Sequence, residues 1–260
     1  MARPADALTL AASGVTAYFM ASQAHEAIGH GVACAAIGGR ITLATTQYLS
    51  CGGQFSLLRL ELLRLSGPAA NLIVGALCFL VFERLRPGWP RFSAWLAGTV
   101  NLITATGYLM VSAWAGIGDW GEFLSPLPGG VTARVAAGAV GLACSVAIAR
   151  SAAARLWRVG APEPFARLLR IPYLAGSLVA TLTALWNRNG ALYAGVAAAA
   201  TFAATCWLVV EIPQRAAKST PPNVDATAAM ARDFAVVAFG GLCLLGFVLL
   251  GHGIGPDALP

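Results

Sequence analysis

Long apolar segments recur along the whole chain, and each approaches the ~20 residues that an α-helix needs to cross a bilayer. Seven spans are predicted, near residues 8–36, 57–82, 93–117, 131–149, 171–187, 191–210 and 233–252. Composition agrees with this pattern, because 58% of the 260 residues are hydrophobic and only 11% are charged, whereas soluble domains are about 25% charged. We therefore expect an all-α membrane protein with about seven transmembrane helices, and a soluble enzyme is excluded.

Two segments interrupt the helical pattern. The connection between the first two spans, "GRITLATTQYLSCGGQFS" (39–56), is rich in threonine and β-branched residues and predicts a membrane-associated hairpin. The segment 150–170 spaces arginines among leucine, tryptophan and phenylalanine, which predicts an amphipathic element at the inner interface. The polar residues of the spans crowd into residues 1–125, so we expect a working core there and additional helices in 126–260.

The formal net charge of +6 comes from an asymmetric distribution of basic residues. With the N-terminus inside, only Arg40, Arg134 and Arg188 clearly fall outside. Twelve basic residues fall inside: Arg3, Arg84, Arg86, Arg91, Arg150, Arg155, Arg158, Arg167, Arg170, Arg215, Lys218 and Arg232. This positive-inside bias predicts a multi-pass protein of the plasma or inner membrane with a cytoplasmic N-terminus. It also explains the charge without nucleic acid, which we do not expect as a partner.

The six cysteines show no CxxC pair and no metal-ligand spacing. Most are expected to be small buried hydrophobic residues. Cys34 and Cys51 both fall near the predicted outer face, where a disulfide would be possible, but we expect none.

Ionisable residues inside a membrane are costly and mark function by default. Here they are His25, Glu26, His30, Glu61 and Asp119. A hydrolytic zinc site needs three protein ligands, an open position for water and a nearby general base. His25, His30 and Asp119 are the candidate ligands, and Glu26 is the candidate base. The competing interpretation is a pair of hydrogen-bonded structural histidines.

The order of motifs resembles that of the site-2 protease family of intramembrane zinc metalloproteases. "HEAIGH" (25–30) is followed by the hairpin-like 39–56, then by "SGPAANLIVGAL" (66–77) and "GIGDWGEF" (116–123). The resemblance covers about residues 20–123. It implies the zinc ligands and base named above, and it places Asn71 near the substrate or the hairpin.

One departure from that family concerns spacing. The family has its histidines four residues apart, whereas His25 and His30 are five apart, about 140° around an ideal helix. A π-bulge around residues 26–29, with Gly29 absorbing it, would realign the two side chains. The alternative is that Glu26 and His30, four apart, are ligands together.

These features predict an intramembrane zinc-dependent endopeptidase that cleaves membrane-embedded or membrane-proximal peptides. The hairpin would pair with an unwound substrate strand, with Thr46 among the substrate-binding residues. The alternatives are a zinc-dependent hydrolase of a lipid amide or ester, and a catalytically degenerate relative that binds membrane segments. The expected partners are the lipid bilayer and a membrane-protein or peptide substrate, and the sequence does not indicate an oligomeric state.

Overall fold

The computed structural model describes residues 5–160, 165–187, 195, 201, 205–218 and 230–256. The first helical run comprises α1 (Ala7–Gln23), a π-helix (Ala24–Gly31) and α2 (Val32–Ala36). A hairpin of β1 (Arg40–Ala44) and β2 (Leu49–Gly52) follows. The later helices are α3 (Leu57–Arg84), α4 (Trp89–Ala115), α5 (Gly118–Leu124), α6 (Val131–Leu156), α7 (Phe165–Leu185), α8 (Glu211–Lys218) and α9 (Phe234–Gly251), with 3₁₀ turns at Trp157–Val159 and Cys206–Leu208.

Five helices of the described part are long and apolar enough to cross a membrane: α3, α4, α6 with the turn after it, α7 and α9. They agree with five predicted spans and with an all-α membrane protein. The predicted span 8–36 is helical throughout, but the π-helix divides it into shorter elements. The predicted span 191–210 lies almost entirely outside the described residues, so the count of seven stays a prediction.

Helix α1 lies at the centre of the bundle and packs against α4, α7 and α9. Glycines allow the close approaches: a Cβ at Gly14 would lie 2.1 Å from the carbonyl oxygen of Pro172 in α7. A Cβ at Gly240 of α9 would lie 2.6 Å from the Cβ of Ala12. One cluster of buried apolar side chains includes residues from both halves of the chain. Helices from 126–260 therefore support α1 directly.

The connections that were predicted to share the inner side do lie together at one end of the bundle. Asp6 caps α1 by accepting a hydrogen bond from the Thr9 N–H (3.0 Å), which lowers the pKa of its carboxyl. Arg232 pairs with the same carboxylate at 3.3 Å. The Gly88 N–H, before α4, donates to the Val159 carbonyl, after α6 (3.0 Å). Because the 17 residues of α1 span about 26 Å, the π-helix and the hairpin lie toward the opposite end.

The arginine-rich segment 150–170 joins α6 to α7. It forms the end of α6, the 3₁₀ turn and the start of α7, and residues 161–164 lie outside the described part. Leu156, Leu168 and Leu169 are buried in the bundle core, and the interfacial position of the segment stays a prediction.

The predicted hairpin is confirmed. β1 and β2 pair antiparallel, with Arg40 opposite Gly52 and Ala44 opposite Leu49, and a bulge interrupts the register between Ile41 and Leu43. On the edge of β1 that does not face β2, the Ala44 N–H donates to the Ile254 carbonyl and the Ile254 N–H donates to the Ala44 carbonyl, both at 2.8 Å. The C-terminal segment thus covers the outer edge of β1.

The expectation that Cys34 and Cys51 stay unpaired is wrong, because the structure joins them in a disulfide. The hairpin turns back over the end of α2 and brings their Cα atoms to 5.8 Å, within the usual range for a disulfide. Gly39 permits this reversal, since a Cβ there would lie 2.4 Å from Cys51 Sγ and 2.9 Å from Cys34 Sγ. The disulfide fixes the hairpin to the helical run that carries His25 and His30.

Candidate metal centre

His25 and His30 lie on the π-helix, and their rings meet edge to face with centroids 4.9 Å apart. A π-helix forms i→i+5 hydrogen bonds, so residues five apart return to nearly the same face. The predicted distortion around residues 26–29 is therefore confirmed. It extends over eight residues, Ala24–Gly31.

Two glycines allow α3 to touch the π-helix backbone to backbone. A Cβ at Gly29 would lie 2.5 Å from the Cα of Gly67 and 2.7 Å from the carbonyl oxygen of Ser66. A Cβ at Gly67 would lie 2.6 Å from His30 Nε2 and 2.7 Å from His25 Nε2. The absence of a side chain at Gly67 thus leaves the space between the two imidazoles open.

Asp119 reaches the same point from the turn that joins α4 to α5. Gly116 ends α4 in the left-handed region (φ 70°), and Gly118 begins α5 with φ 67°. The Asp119 N–H donates to the Tyr108 hydroxyl at 3.2 Å. A Cβ at Gly118 would lie 2.0 Å from that hydroxyl oxygen, so glycine is required for Asp119 to take this position.

Three ligand atoms converge here. Asp119 Oδ2 lies 2.9 Å from His25 Nε2 and 3.3 Å from His30 Nε2, and the three residues offer ligand atoms within 4.8 Å of one another. Tetrahedral coordination at the usual 2.0–2.1 Å would separate ligand atoms by about 3.3 Å. These residues could hold a metal ion.

The Nδ1 atom of each imidazole, the nitrogen that does not face Asp119, lies within hydrogen-bond distance of an acceptor. His30 Nδ1 donates to the Leu63 carbonyl (2.9 Å). His25 Nδ1 lies 2.8 Å from Asn71 Oδ1, which is an acceptor because Asn71 Nδ2 donates to the Ala21 carbonyl (2.8 Å) and to Asn101 (3.0 Å). In a neutral imidazole the proton then resides on Nδ1, and Nε2 presents a lone pair. Two such lone pairs can bind a metal ion together with the carboxylate oxygen, and hydrogen bonds from the other ring nitrogen are typical of metal-bound histidines; protonated imidazoles would instead form ion pairs with Asp119.

Glu26 lies beside this group without joining it. Its side chain is 7% exposed, and Oε2 has no hydrogen-bond partner among the described residues. It lines a cleft of about 230 Å³ together with the three ligand residues. The walls of the cleft come from β2, the first turns of α3 and α5, through Ser50, Leu60 and Glu122 among others.

The nearest arginine in this cleft is already paired. Arg64 forms ion pairs with Glu61 at 2.8 Å and with Glu122 at 3.1 Å, so its positive charge is balanced by those two carboxylates. Glu61 thereby belongs to an ion pair and not to the group of metal ligands.

The two residues expected to bind substrate occupy different surroundings. Asn71 is fully buried (0% exposed) and lies behind His25, where it orients the imidazole. Thr46 lies in the turn between β1 and β2, not in a strand. Its carbonyl accepts from Ser22 Oγ, and its buried hydroxyl has no hydrogen-bond partner among the described residues.

Sequence reasoning missed Gly67 and Tyr108. Gly67 lies within the "GPAAN" element (67–71), in which only the polar Asn71 predicts a role. Tyr108 lies eleven residues before Asp119, and a tyrosine within a predicted span gives no signal that its hydroxyl will accept the Asp119 N–H.

Comparison with known proteins identifies no relative: no family model matches the chain, and no curated protein or solved structure gives a significant match. The resemblance to intramembrane metalloproteases therefore stays a prediction based on the motifs and their geometry.

Proposed function

We propose that the protein is an intramembrane zinc-dependent endopeptidase. The observation that supports this most is the convergence of His25 Nε2, His30 Nε2 and Asp119 Oδ2 beside Glu26, a buried carboxylate whose Oε2 has no partner in the described part of the chain. Two imidazoles and one carboxylate form a donor set that zinc favours, and three protein ligands leave one position open, as catalytic sites require. When bound, zinc supplies Lewis-acid polarisation of a carbonyl group and lowers the pKa of a water molecule.

Glu26 is the proposed general base. It would take a proton from the attacking water and later pass it to the leaving nitrogen. Hydrolysis consumes one water molecule: its oxygen forms a bond to the carbonyl carbon, the C–N bond breaks, and the proton held by Glu26 goes to the amine. Glu26 Oε2 has no hydrogen-bond partner among the described residues, and Arg64, the arginine that lines the cleft, is paired with Glu61 and Glu122, which leaves Glu26 available for this transfer.

The edge of β2 is the proposed docking place for a peptide. β2 lines the metal cleft through Leu49, Ser50 and Cys51. β1 covers one side of it, and no third strand pairs with its other side in the described part of the chain. An unwound substrate strand could add there through backbone hydrogen bonds. The proposed pairing of the substrate strand is therefore with β2 and not with the turn that contains Thr46.

We also propose that the cleft opens to the side opposite the N-terminus. The arginine-rich connections cluster at the end that holds Asp6, and the positive-inside rule assigns that end to the cytoplasm. The Cys34–Cys51 disulfide lies at the cleft end, and disulfides persist in oxidising compartments. The two cues are independent and indicate the same orientation.

The test compares Glu26→Gln, His30→Ala and Glu61→Gln with the wild type. Each purified protein is analysed for zinc and incubated with fluorogenic transmembrane peptides and, separately, with lipid amides and esters. We expect one zinc per chain in the wild type and in both glutamate variants, and no zinc in His30→Ala. Only Glu26→Gln among the glutamate variants should lose peptide cleavage.

Several results would count against the proposal. Absence of zinc from the wild type would remove the metal site, and unchanged cleavage in Glu26→Gln would remove the general base. Loss of zinc in Glu26→Gln would make Glu26 a ligand. Cleavage of lipids but not of peptides would replace the endopeptidase by a lipid hydrolase.

A further inference from the structure

A large apolar groove lies between α3 and α9, and it shares no lining residue with the metal cleft. Its volume is about 570 Å³, and residues of α1 and α4 complete its lining. The described residues that line it include no charged side chain. Only 33% of the apolar segment of α3 and 22% of that of α9 are buried, so the two helices that flank the groove face lipid.

The groove has the depth of one leaflet of a bilayer. On α3 its lining extends from Val74 to Val81, and Arg84 follows three residues later at the end of the helix. At 1.5 Å per residue, Val74 and Arg84 are about 15 Å apart along the helix axis. The hydrocarbon core of a bilayer is about 30 Å thick, so an acyl chain in this groove would extend from the level of Arg84 to the middle of the membrane.

Two arginines border the end of the groove where α3 ends. Arg84 is seven residues after Leu77 and three after Val81, so it continues the face of α3 that lines the groove. Arg86 lies in the loop that joins α3 to α4, and Val81 and Pro90 line the groove on either side of this loop. Both arginines are exposed.

The described carboxylates at this end of the bundle already have partners within the protein. Three of them form ion pairs and the fourth caps a helix: Glu83 with Arg155 and Arg158, Asp6 with Arg232, Glu211 with Arg215, and Asp233 at the start of α9. The charges of Arg84 and Arg86 are therefore balanced by no ion pair in the described part of the chain. The anion that a membrane surface offers to such arginines is the headgroup of an anionic lipid.

The headgroup and not the acyl chain would decide which lipid stays in the groove. Lipid tails are as apolar as the side chains of a membrane helix, so an acyl chain gains little by exchanging the bilayer for the groove. Each arginine near the surface favours an anionic lipid by a factor of about five. A zwitterionic lipid offers the same phosphate but brings a positive group close to the arginines.

We propose that this groove binds one anionic phospholipid of the leaflet at the Asp6 end of the bundle, with an acyl chain between α3 and α9 and the phosphate on Arg84 and Arg86. The proposed orientation makes this the cytoplasmic leaflet. The lipid site does not depend on the proposed peptidase function, because the groove and the metal cleft have no lining residue in common.

The experiment is native mass spectrometry of the full-length protein released from nanodiscs that contain equal amounts of phosphatidylglycerol and phosphatidylcholine with identical acyl chains. The wild type should retain one phosphatidylglycerol per chain in preference to phosphatidylcholine. The double variant Arg84→Gln/Arg86→Gln should reduce this preference about 25-fold, a factor of about five for each arginine. Arg170→Gln is the matched control, because Arg170 is exposed near the start of α7, which contributes no residue to the groove, and it should behave like the wild type.

A second pair of variants tests the groove itself. Ala94 lines it on α4, so Ala94→Leu should abolish lipid retention. Ala143 is exposed on α6 and lies outside the groove, so Ala143→Leu should retain the lipid. If Ala94→Leu does not fold, Val81→Phe makes the same test at a groove position that is 49% exposed.

Equal retention of the two lipids by the wild type, or an unchanged preference in the double arginine variant, would overturn the headgroup site. Lipid retention by a folded protein with a filled groove would overturn the acyl-chain site. A dimer that carries no lipid and separates in Ala94→Leu would make the groove an interface between two copies of the chain instead. Zinc content and peptide cleavage should be unchanged in all these variants, so a failure of the peptidase proposal leaves the lipid site unaffected.

Discussion

Substitution of Gly67 by alanine would place a methyl group between the two imidazoles of the candidate metal centre. The added Cβ would lie 2.6 Å from His30 Nε2 and 2.7 Å from His25 Nε2, whereas ordinary contacts at Cβ begin near 3.4 Å. The imidazoles would have to retreat by about 0.7–0.8 Å, while metal–ligand distances tolerate only about 0.2 Å. If α3 moved away instead, it would lose its backbone contact with the π-helix at Gly29.

The expected consequence is a loss of metal affinity of at least about 100-fold, which corresponds to about 2.7 kcal/mol at 1.36 kcal/mol per factor of ten. Removing a single hydrogen-bond partner of a metal ligand already weakens metal affinity about 10–100-fold, and this change displaces two ligands at once. The helix itself should not suffer, because alanine is favoured over glycine in a helix interior by about 1 kcal/mol. The thermal stability that zinc adds to the protein should therefore disappear, while that of the metal-free protein changes much less.

The assay is competition with a zinc chelator, combined with thermal unfolding with and without zinc. Gly241→Ala is the matched control, because a Cβ at this position of α9 meets no atom within 4 Å. It should bind zinc like the wild type. One zinc per chain at unchanged affinity in Gly67→Ala would refute the geometry of the site, since the methyl group and the metal cannot share that space.

Three further outcomes are expected. Asn71→Ala should weaken zinc binding about 10–100-fold, because His25 loses the acceptor of its Nδ1 proton. Asn101→Ala removes only a hydrogen-bond partner of Asn71 and should weaken zinc binding less. Equal losses of zinc affinity for the two variants in chelator competition would contradict the role of Asn71 in orienting His25. Reporter fusions after residues 88 and 160 should both report cytoplasm, and an outside result at either would reverse the orientation. Without reduction, maleimide should label neither Cys34 nor Cys51 in the folded protein. The zinc content should survive reduction. Labelling of either cysteine before reduction would exclude the disulfide.

Most of the candidate site could be predicted from local sequence, because three of its four residues (three candidate ligands and the candidate base) lie within six positions. His25, Glu26 and His30 are costly in an apolar segment, and their spacing leaves two solutions, a regular helix with Glu26 as a ligand or a distorted one with both histidines. The structure adopts the distorted helix. Gly29, which the sequence offered as the place for the distortion, is also where α3 makes its backbone contact.

The rest of the site depends on contacts between segments far apart in the chain, which local patterns do not encode. The disulfide is an example: the sequence places Cys34 and Cys51 near one face, but the strand register and the reversal at Gly39 decide that their Cα atoms meet at 5.8 Å. Gly67 is another, because a glycine within a helix is normally unfavourable and only the neighbouring imidazoles explain it.

The two ends of the bundle carry different groups of residues: ion pairs at one end, and the disulfide with the candidate metal centre at the other. At the Asp6 end, ion pairs such as Arg158–Glu83 (2.6 Å) hold the connections between spans together. At the other end, a disulfide fixes a hairpin over a cleft lined by three candidate metal ligands and by Glu26, whose Oε2 has no partner among the described residues. A buried carboxylate is costly in an apolar bundle, and a cation held by the three candidate ligands would lower that cost for Glu26, which lines the same cleft.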